Sequence, residues 1–336
     1  MNTFRHTGRA GQRGVSLVEL MVALTISLFI LGGAASVFAK TRDLYRSNER
    51  SARLQEAARY AMSTIEADLR MANYWGLHSN PELVENAPGI DPDDPAEPDP
   101  SYSLPSGLSS YATTISSCGS MWAVKLFRYV EASNNAYGLD CAAFGTASGS
   151  SDQLTVRRAS TDAITTGNLG ATSGQLKLAS SRARGMLFTG TALPSGFTAP
   201  LSEVRAVISN SYYVDQDSDL TAGLPSLRRK SLGFTGGAPT ITDEEVVPGI
   251  EDLQVALGVD MNGDQNVDYF VDPDDGVPMG EAAVAVRVWL LVRSEQRDVG
   301  FTDDRTYTYA DRSYTPNDSF RRLLVSKTIA LRNTRR

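Results

Sequence analysis

Residues 15–39 read VSLVELMVALTISLFILGGAASVFA, a run with a single charge, Glu19. At about 1.5 Å per residue it is about 37 Å long as a helix, enough to cross a hydrocarbon core of roughly 30 Å. The stretch can therefore hold the chain in a membrane. The 336-residue chain is 41% hydrophobic and 21% charged, which is ordinary for a folded protein and excludes wholesale disorder. The sequence thus predicts an attachment helix joined to a folded body.

Immediately before this run stands MNTFRHTGRAGQRG, with Arg5, Arg9 and Arg13 and no acid. Lys40, Arg42 and Arg46 follow the run almost as closely, so charge bias alone does not set its orientation. The form of the leader does. An ordinary secretory signal places its small cleavage-site residue after the apolar region, whereas here Gly14 lies before it. Arg13-Gly14-Val15-Ser16-Leu17-Val18-Glu19-Leu20 resembles the class III signal of type IV prepilins. The resemblance implies that prepilin peptidase cuts between Gly14 and Val15 on the cytoplasmic side, that Val15 is N-methylated, and that the helix is kept. The body then lies in the periplasm or outside the cell. A carboxylate near the end of an apolar helix is costly in lipid and needs a partner. For Glu19 the resemblance implies the N-terminal amine of an adjacent subunit, which would set axial register in a filament. Gly32 and Gly33 each weaken the helix by about 1 kcal/mol relative to alanine, and local bending and close helix packing are alternative reasons for them.

Downstream, Leu54, Ala58, Ala61, Ile65, Leu69 and Ala72 recur at spacings of 3 and 4, one apolar stripe of a helix that should pack on a sheet. Arg53, Arg59, Glu66 and Arg70 face elsewhere, and Gly76 is the expected stop. Residues 81–105 contain seven prolines among Asp91, Asp93, Asp94, Glu97 and Asp99, so neither a helix nor a central strand can run through them, and an exposed loop is expected. From about residue 120, β-like runs alternate with turn residues: 122–130, 153–158, 204–214, 253–259, 283–292 and 323–331. Val284, Val286, Val288, Leu290 and Val292 share one face, with Arg287 and Arg293 on the other, which predicts a central strand. The expected organisation is a leader (1–14), a transmembrane or filament-core helix (15–39), an amphipathic helix (40–76) and a mostly β body (77–336). The fold class is α+β and pilin-like: a long N-terminal helix packed on an antiparallel sheet with large loop insertions.

The segments 57–62 and 68–76, then Gly249-Ile250-Glu251-Asp252-Leu253-Gln254-Val255, Leu257-Gly258-Val259-Asp260 and Ala330-Leu331-Arg332-Asn333, resemble in their order the PilW family of minor pilins. That resemblance implies a structural subunit, not an enzyme, that primes type IV pilus assembly. Its partners would be other minor pilins, the major pilin, prepilin peptidase and the inner-membrane assembly machinery. It would sit first in the inner membrane and then in the pilus, and twitching motility would follow from assembly.

The net charge is −7; without the three leader arginines, 29 basic and 39 acidic groups remain, a surface that repels nucleic acid in bulk. The tightest basic cluster, Arg228-Arg229-Lys230, reads as a solvated strand or turn. Cys118 and Cys141 fit no zinc or redox spacing; in an exported chain they can pair, closing a loop of about 24 residues. Free buried thiols are the alternative. Asp260, Asn262, Asp264 and Asp268 alternate around Gly263 as calcium ligands do, but Val271 stands where an EF-hand needs glutamate. Calcium is therefore a candidate and no cofactor is required; an Asn-Gly hairpin with solvated acids is the alternative. Histidine occurs only at His6 and His78, which leaves a histidine-dependent triad almost nothing to use. Two other functions stay open: a minor pseudopilin of a type II secretion system, and a membrane-anchored periplasmic enzyme or glycan-binding protein.

Overall fold

The computed structural model describes residues 14, 16–94, 97–275 and 282–334. The chain forms two units, Met1–Ala52 and Arg53–Arg336. One helix, α1 (Leu17–Met71), contributes to both, so residues 17–39 and the amphipathic stretch after them are a single element. The remaining elements belong to the second unit.

Eight strands form the larger sheet: β1 (Val84–Glu85), β2 (Val130–Ser133), β3 (Gln153–Ala163), β4 (Lys177–Ser180), β5 (Gly185–Phe188), β6 (Glu203–Asp215), β7 (Ser226–Thr235) and β8 (Ala238–Pro248). The thirteen-residue β6 organises it, pairing β3 along one side and β4 and then β7 along the other. Next come β9 (Ile250–Asp260), β10 (Tyr269–Val271), β11 (Ala282–Arg293), the hairpin β12 (Tyr307–Tyr309) and β13 (Arg312–Tyr314), and β14 (Arg322–Ala330). A four-stranded sheet runs in the order β10-β9-β11-β14. The expected single sheet is thus two sheets and a hairpin, and the pairing is antiparallel except for β1 with β5.

The helix stripe and the central strand are where the periodicity puts them. Leu54, Ala58, Ala61, Ile65, Leu69 and Ala72 are buried in one core with Leu154, Val156, Tyr212 and Leu227 of the larger sheet and Leu253, Val255, Val286, Val288, Leu290 and Ile329 of the smaller one. The helix therefore closes both sheets at once. β11 is central, between β9 and β14, and its five alternating apolar residues are all buried. Its opposite face is not simply solvated, because Leu291 is buried with Tyr307 and Tyr309 of the hairpin.

Three expectations change. Residues 122–129 form turns, not a strand: Val124 N and Lys125 N both bond the Met121 carbonyl, so pairing with β3 begins only at Val130. The helix ends at Met71 rather than near Gly76, because Asn73 takes a left-handed φ of 61° and its N–H bonds the Arg157 carbonyl of β3. Within 81–105, β1 is a short edge strand that buries Val84, so that stretch is not wholly exposed.

Cys118 and Cys141 are joined in a disulfide, and Cys118 is buried against Trp122 and Leu126. For a loop of this length the chain-entropy model gives about 3 kcal/mol. Cys118→Ser should lower the urea unfolding free energy by about that amount, and a denaturation curve unchanged by reduction of the wild type would contradict it.

Candidate functional site

From Leu17 to Phe38 the large apolar residues are 51% to 85% exposed, so among the described residues of this unit none covers a face of this part of α1. A helix apolar all round belongs in lipid or among other apolar helices. By length and composition it can cross a membrane. The hydroxyls inside it are satisfied locally: Thr25 donates to the Val22 carbonyl (2.9 Å), Ser27 to Ala23 (2.7 Å) and Ser36 to Gly33 (2.8 Å). Such back-bonding lets polar residues sit in an apolar span. The first bond of the helix runs from Leu20 N–H to the Ser16 carbonyl, which places Glu19 in the first turn, where an acid suits the helix dipole. Glu19 is exposed and available to a partner. Gly14 is exposed, with nothing within 4 Å of where a Cβ would stand. Val15 and residues 1–13 lie outside the described residues. Gly32 and Gly33 also meet nothing within 4 Å, so neither is required by a contact within the chain.

In the second unit the residues of the sequence motifs act as pins that seat the helix. Asp68, buried on its inner face, accepts Arg158 Nε and Nη2 at Oδ1 (3.0 and 2.8 Å) and Asn210 Nδ2 and the Tyr212 hydroxyl at Oδ2 (2.6 and 2.5 Å). At the helix end, Asn333 donates to the Ala72 carbonyl (3.1 Å) while Asn73 donates to the Asn333 carbonyl (2.9 Å) and accepts Trp75 Nε1 (2.7 Å). The C-terminal motif thus satisfies carbonyls that a helix end leaves open. Glu251 accepts two bonds from the buried Arg322, and Asp252 accepts Ser151 and Tyr309. Gly249 has φ 85°, and a Cβ there would stand 2.8 Å from the Arg293 carbonyl, a close approach that only glycine allows. On the outer face of the helix, Lys327 of β14 donates to Glu66 (2.6 Å), a bond that holds its carboxyl below the usual range.

The basic cluster is not solvated. Arg228 and Lys230 are buried in β7, and the register sets Arg228, Arg229 and Lys230 opposite Glu245, Glu244 and Asp243 of β8. Arg228 also reaches Asp219 (2.6 Å) and stacks on Phe144 (3.8 Å), and Lys230 holds Asp243 at 2.6 Å. Buried charges persist only when paired, and these are. RRK at 228–230 and DEE at 243–245 flank Gly236-Gly237 as a hairpin would, a signal for the pairing of these charges but not for their burial. Elsewhere, Glu131 is opposed by burial, yet Arg157 and Lys125 pull its pKa down to about 2.

The loop between β9 and β10 carries the candidate calcium residues. Asp260 accepts the backbone N–H groups of Asn262, Gly263 and Gln265; Asn262, Asp264 and Asp268 accept those of Asp264, Asn266 and Met261. Backbone amides therefore engage these oxygens. Among the described residues no three His, Cys, Asp or Glu side chains group so as to hold a metal ion.

The apolar helix exposed on every side, with one acid in its first turn, coincides with a match of residues 9–35 to the model of the prokaryotic N-terminal methylation motif. Residues 211–333 match the model of the family described as Type IV Pilus-assembly protein W. The chain is also similar to the pilin-like protein PilA3 of Thermus thermophilus, 38% identical over 66 residues, or 19% of this chain and 28% of that protein. It therefore spans less than a third of that relative's length. A solved structure, the type IV-like pilin TTHA1219 from Thermus thermophilus, aligns over 55% of this chain and 80% of its own at 16% identity, with a TM-score of 0.26.

Proposed function

We propose that this chain is a minor pilin that primes or supports type IV pilus assembly as a non-enzymatic structural subunit. In this reading prepilin peptidase removes residues 1–14, Val15 becomes the methylated N-terminus, and the 15–39 helix holds the protein in the inner membrane with its body in the periplasm. The helix then enters the filament beside other minor pilins and the major pilin, with Glu19 meeting a neighbour's terminal amine. The observation that carries the proposal is the methylation motif at 9–35 on a helix whose apolar residues are exposed all round. The match of residues 211–333 to a pilus-assembly family favours the pilus over a type II secretion system.

The first test is the intact mass of the membrane-extracted protein. A start at N-methylated Val15 is the expected result; a retained leader, or a start beyond Ala39, would overturn the proposal. A second test separates anchoring from assembly. Glu19→Gln should stay membrane-bound and be processed at Gly14, yet appear in sheared pili at less than a tenth of the wild-type amount. Equal incorporation would remove Glu19 from the assembly mechanism.

A further inference from the structure

The two sheets meet along residues 150–152. Gln254 Nε2 and Arg312 Nη1 donate to the Ser150 carbonyl (3.0 and 2.5 Å), the Ser151 hydroxyl to Asp252 Oδ1 (2.6 Å), and Asp152 N–H to the Leu253 carbonyl (2.8 Å). The Asp152 carboxylate completes the seam. Its Oδ1 accepts Asn135 N–H (2.8 Å) from the turn after β2, and its Oδ2 accepts Val255 N–H (2.7 Å) from β9. Asp152 and Asp252 are each 1% exposed.

The charges around Asp152 do not balance. β9 contributes Asp252, whose other oxygen accepts the Tyr309 hydroxyl of β12 at 2.5 Å. The β12–β13 hairpin contributes Asp311, held by the side-chain amides of Asn134 and Asn135, and Arg312, which lies 3.0 Å from Asp252. Glu251 points to Arg322 instead. The Arg312 guanidinium is paired with Asp252, and among the described residues no Lys or Arg forms an ion pair with Asp152. A buried carboxylate without a cation favours its protonated form, the more so beside another.

We propose that this seam is a pH-sensitive latch between the two sheets, which holds a proton when closed and loosens when Asp152 and Asp252 are both ionised. Burial first, and then Asp252 and Asp311, raise Asp152 to about 7 against the two backbone N–H groups that lower it. The closed seam therefore retains a proton that the open seam, with an ordinary carboxyl near 4, has released. Closing is favoured at acidic pH and weakens as pH rises from about 4 to about 7, with little further change above that. A body outside the cytoplasm, as the proposed function has it, would experience the pH of the medium at this seam.

The experiment is amide hydrogen exchange on the full chain in detergent micelles at pH 6 and pH 8, corrected for intrinsic rates. Peptides covering Asn135, Asp152 and Leu253–Val255 should open about tenfold more readily at pH 8, while β11 should not change. Asp152→Asn should remove the difference. Seam peptides that follow β11, or a variant that keeps the wild-type pH dependence, would overturn the latch. If that variant does not fold, carboxyl titration of the wild type by ¹³C NMR decides: a seam carboxyl titrating above pH 6 supports the proposal, and none above pH 5 overturns it. Neither readout needs a pilus, so failure here and failure of the minor-pilin reading are distinguishable.

Discussion

Asp68→Ala should destabilise the folded body by about 3–5 kcal/mol, the range expected when one partner of a buried ion pair is removed. The reason lies in what remains. Arg158, with a side chain only 15% exposed, would keep its charge without the carboxylate 2.8 Å away, and Asn210 and Tyr212 would each lose a bond to it. All three lie on β3 and β6, so the loss falls on the contact between α1 and the middle of the larger sheet. For a body of this size the melting temperature should fall by roughly 10 °C or more. Calorimetry of the variant checks this, and a fall of under 3 °C would show that the cluster is not the pin described. Asp68→Leu combined with Arg158→Met should recover much of the loss, because apolar replacement of a whole buried pair is often close to neutral. Tyr212→Phe should cost only about 1 kcal/mol, the usual net worth of one hydrogen bond.

Gly14→Val should leave the leader on the protein and abolish incorporation into pili while the body folds normally. Among the described residues nothing lies within 4 Å of a Cβ at this position, so they offer no steric objection to a side chain. In the proposed function the effect arises where prepilin peptidase reads the residues around Gly14. The measurement is intact mass together with protease resistance of the body. A full-length, methylation-free, folded precursor is expected, and cleavage of the variant at the same bond would show that Gly14 is not read. Asp68→Ala thus acts on the fold and leaves the leader alone, whereas Gly14→Val does the reverse.

Some of this was open to direct reading. Local features sufficed for the long helix, because an unbroken apolar run and a stripe spaced by 3 and 4 are properties of consecutive residues. The period-two run at 284–292 identified β11 as central for the same reason. The strands β4, β5, β7 and β8 carry no clear alternation in sequence: two are only four residues long, and β7 carries charges that are polar in sequence and buried in the fold. Glycine is the usual left-handed residue at a helix end, which points to Gly76, whereas here Asn73 takes that role with Asn333 as its partner. Asp68 stands seven residues after Ala61 and three after Ile65, on the flank of the apolar stripe, and an acid at that spacing was the available signal for a buried role.

The sequence by itself determined the apolar helix, the basic stretch before it, the single acid at its start and the stripe that seats its second half, because each depends on the order of neighbouring residues. Only the tertiary structure decided that the body has two sheets rather than one, that Arg228 and Lys230 are buried, and that Asp152 and Asp252 face each other across a seam. Asp152 and Asp252 are 100 positions apart in the chain, and whether the charges of β7 are buried depends on what packs over the hairpin it forms with β8. Burial and pairing are long-range properties, and pairing between distant strands leaves no period in the sequence.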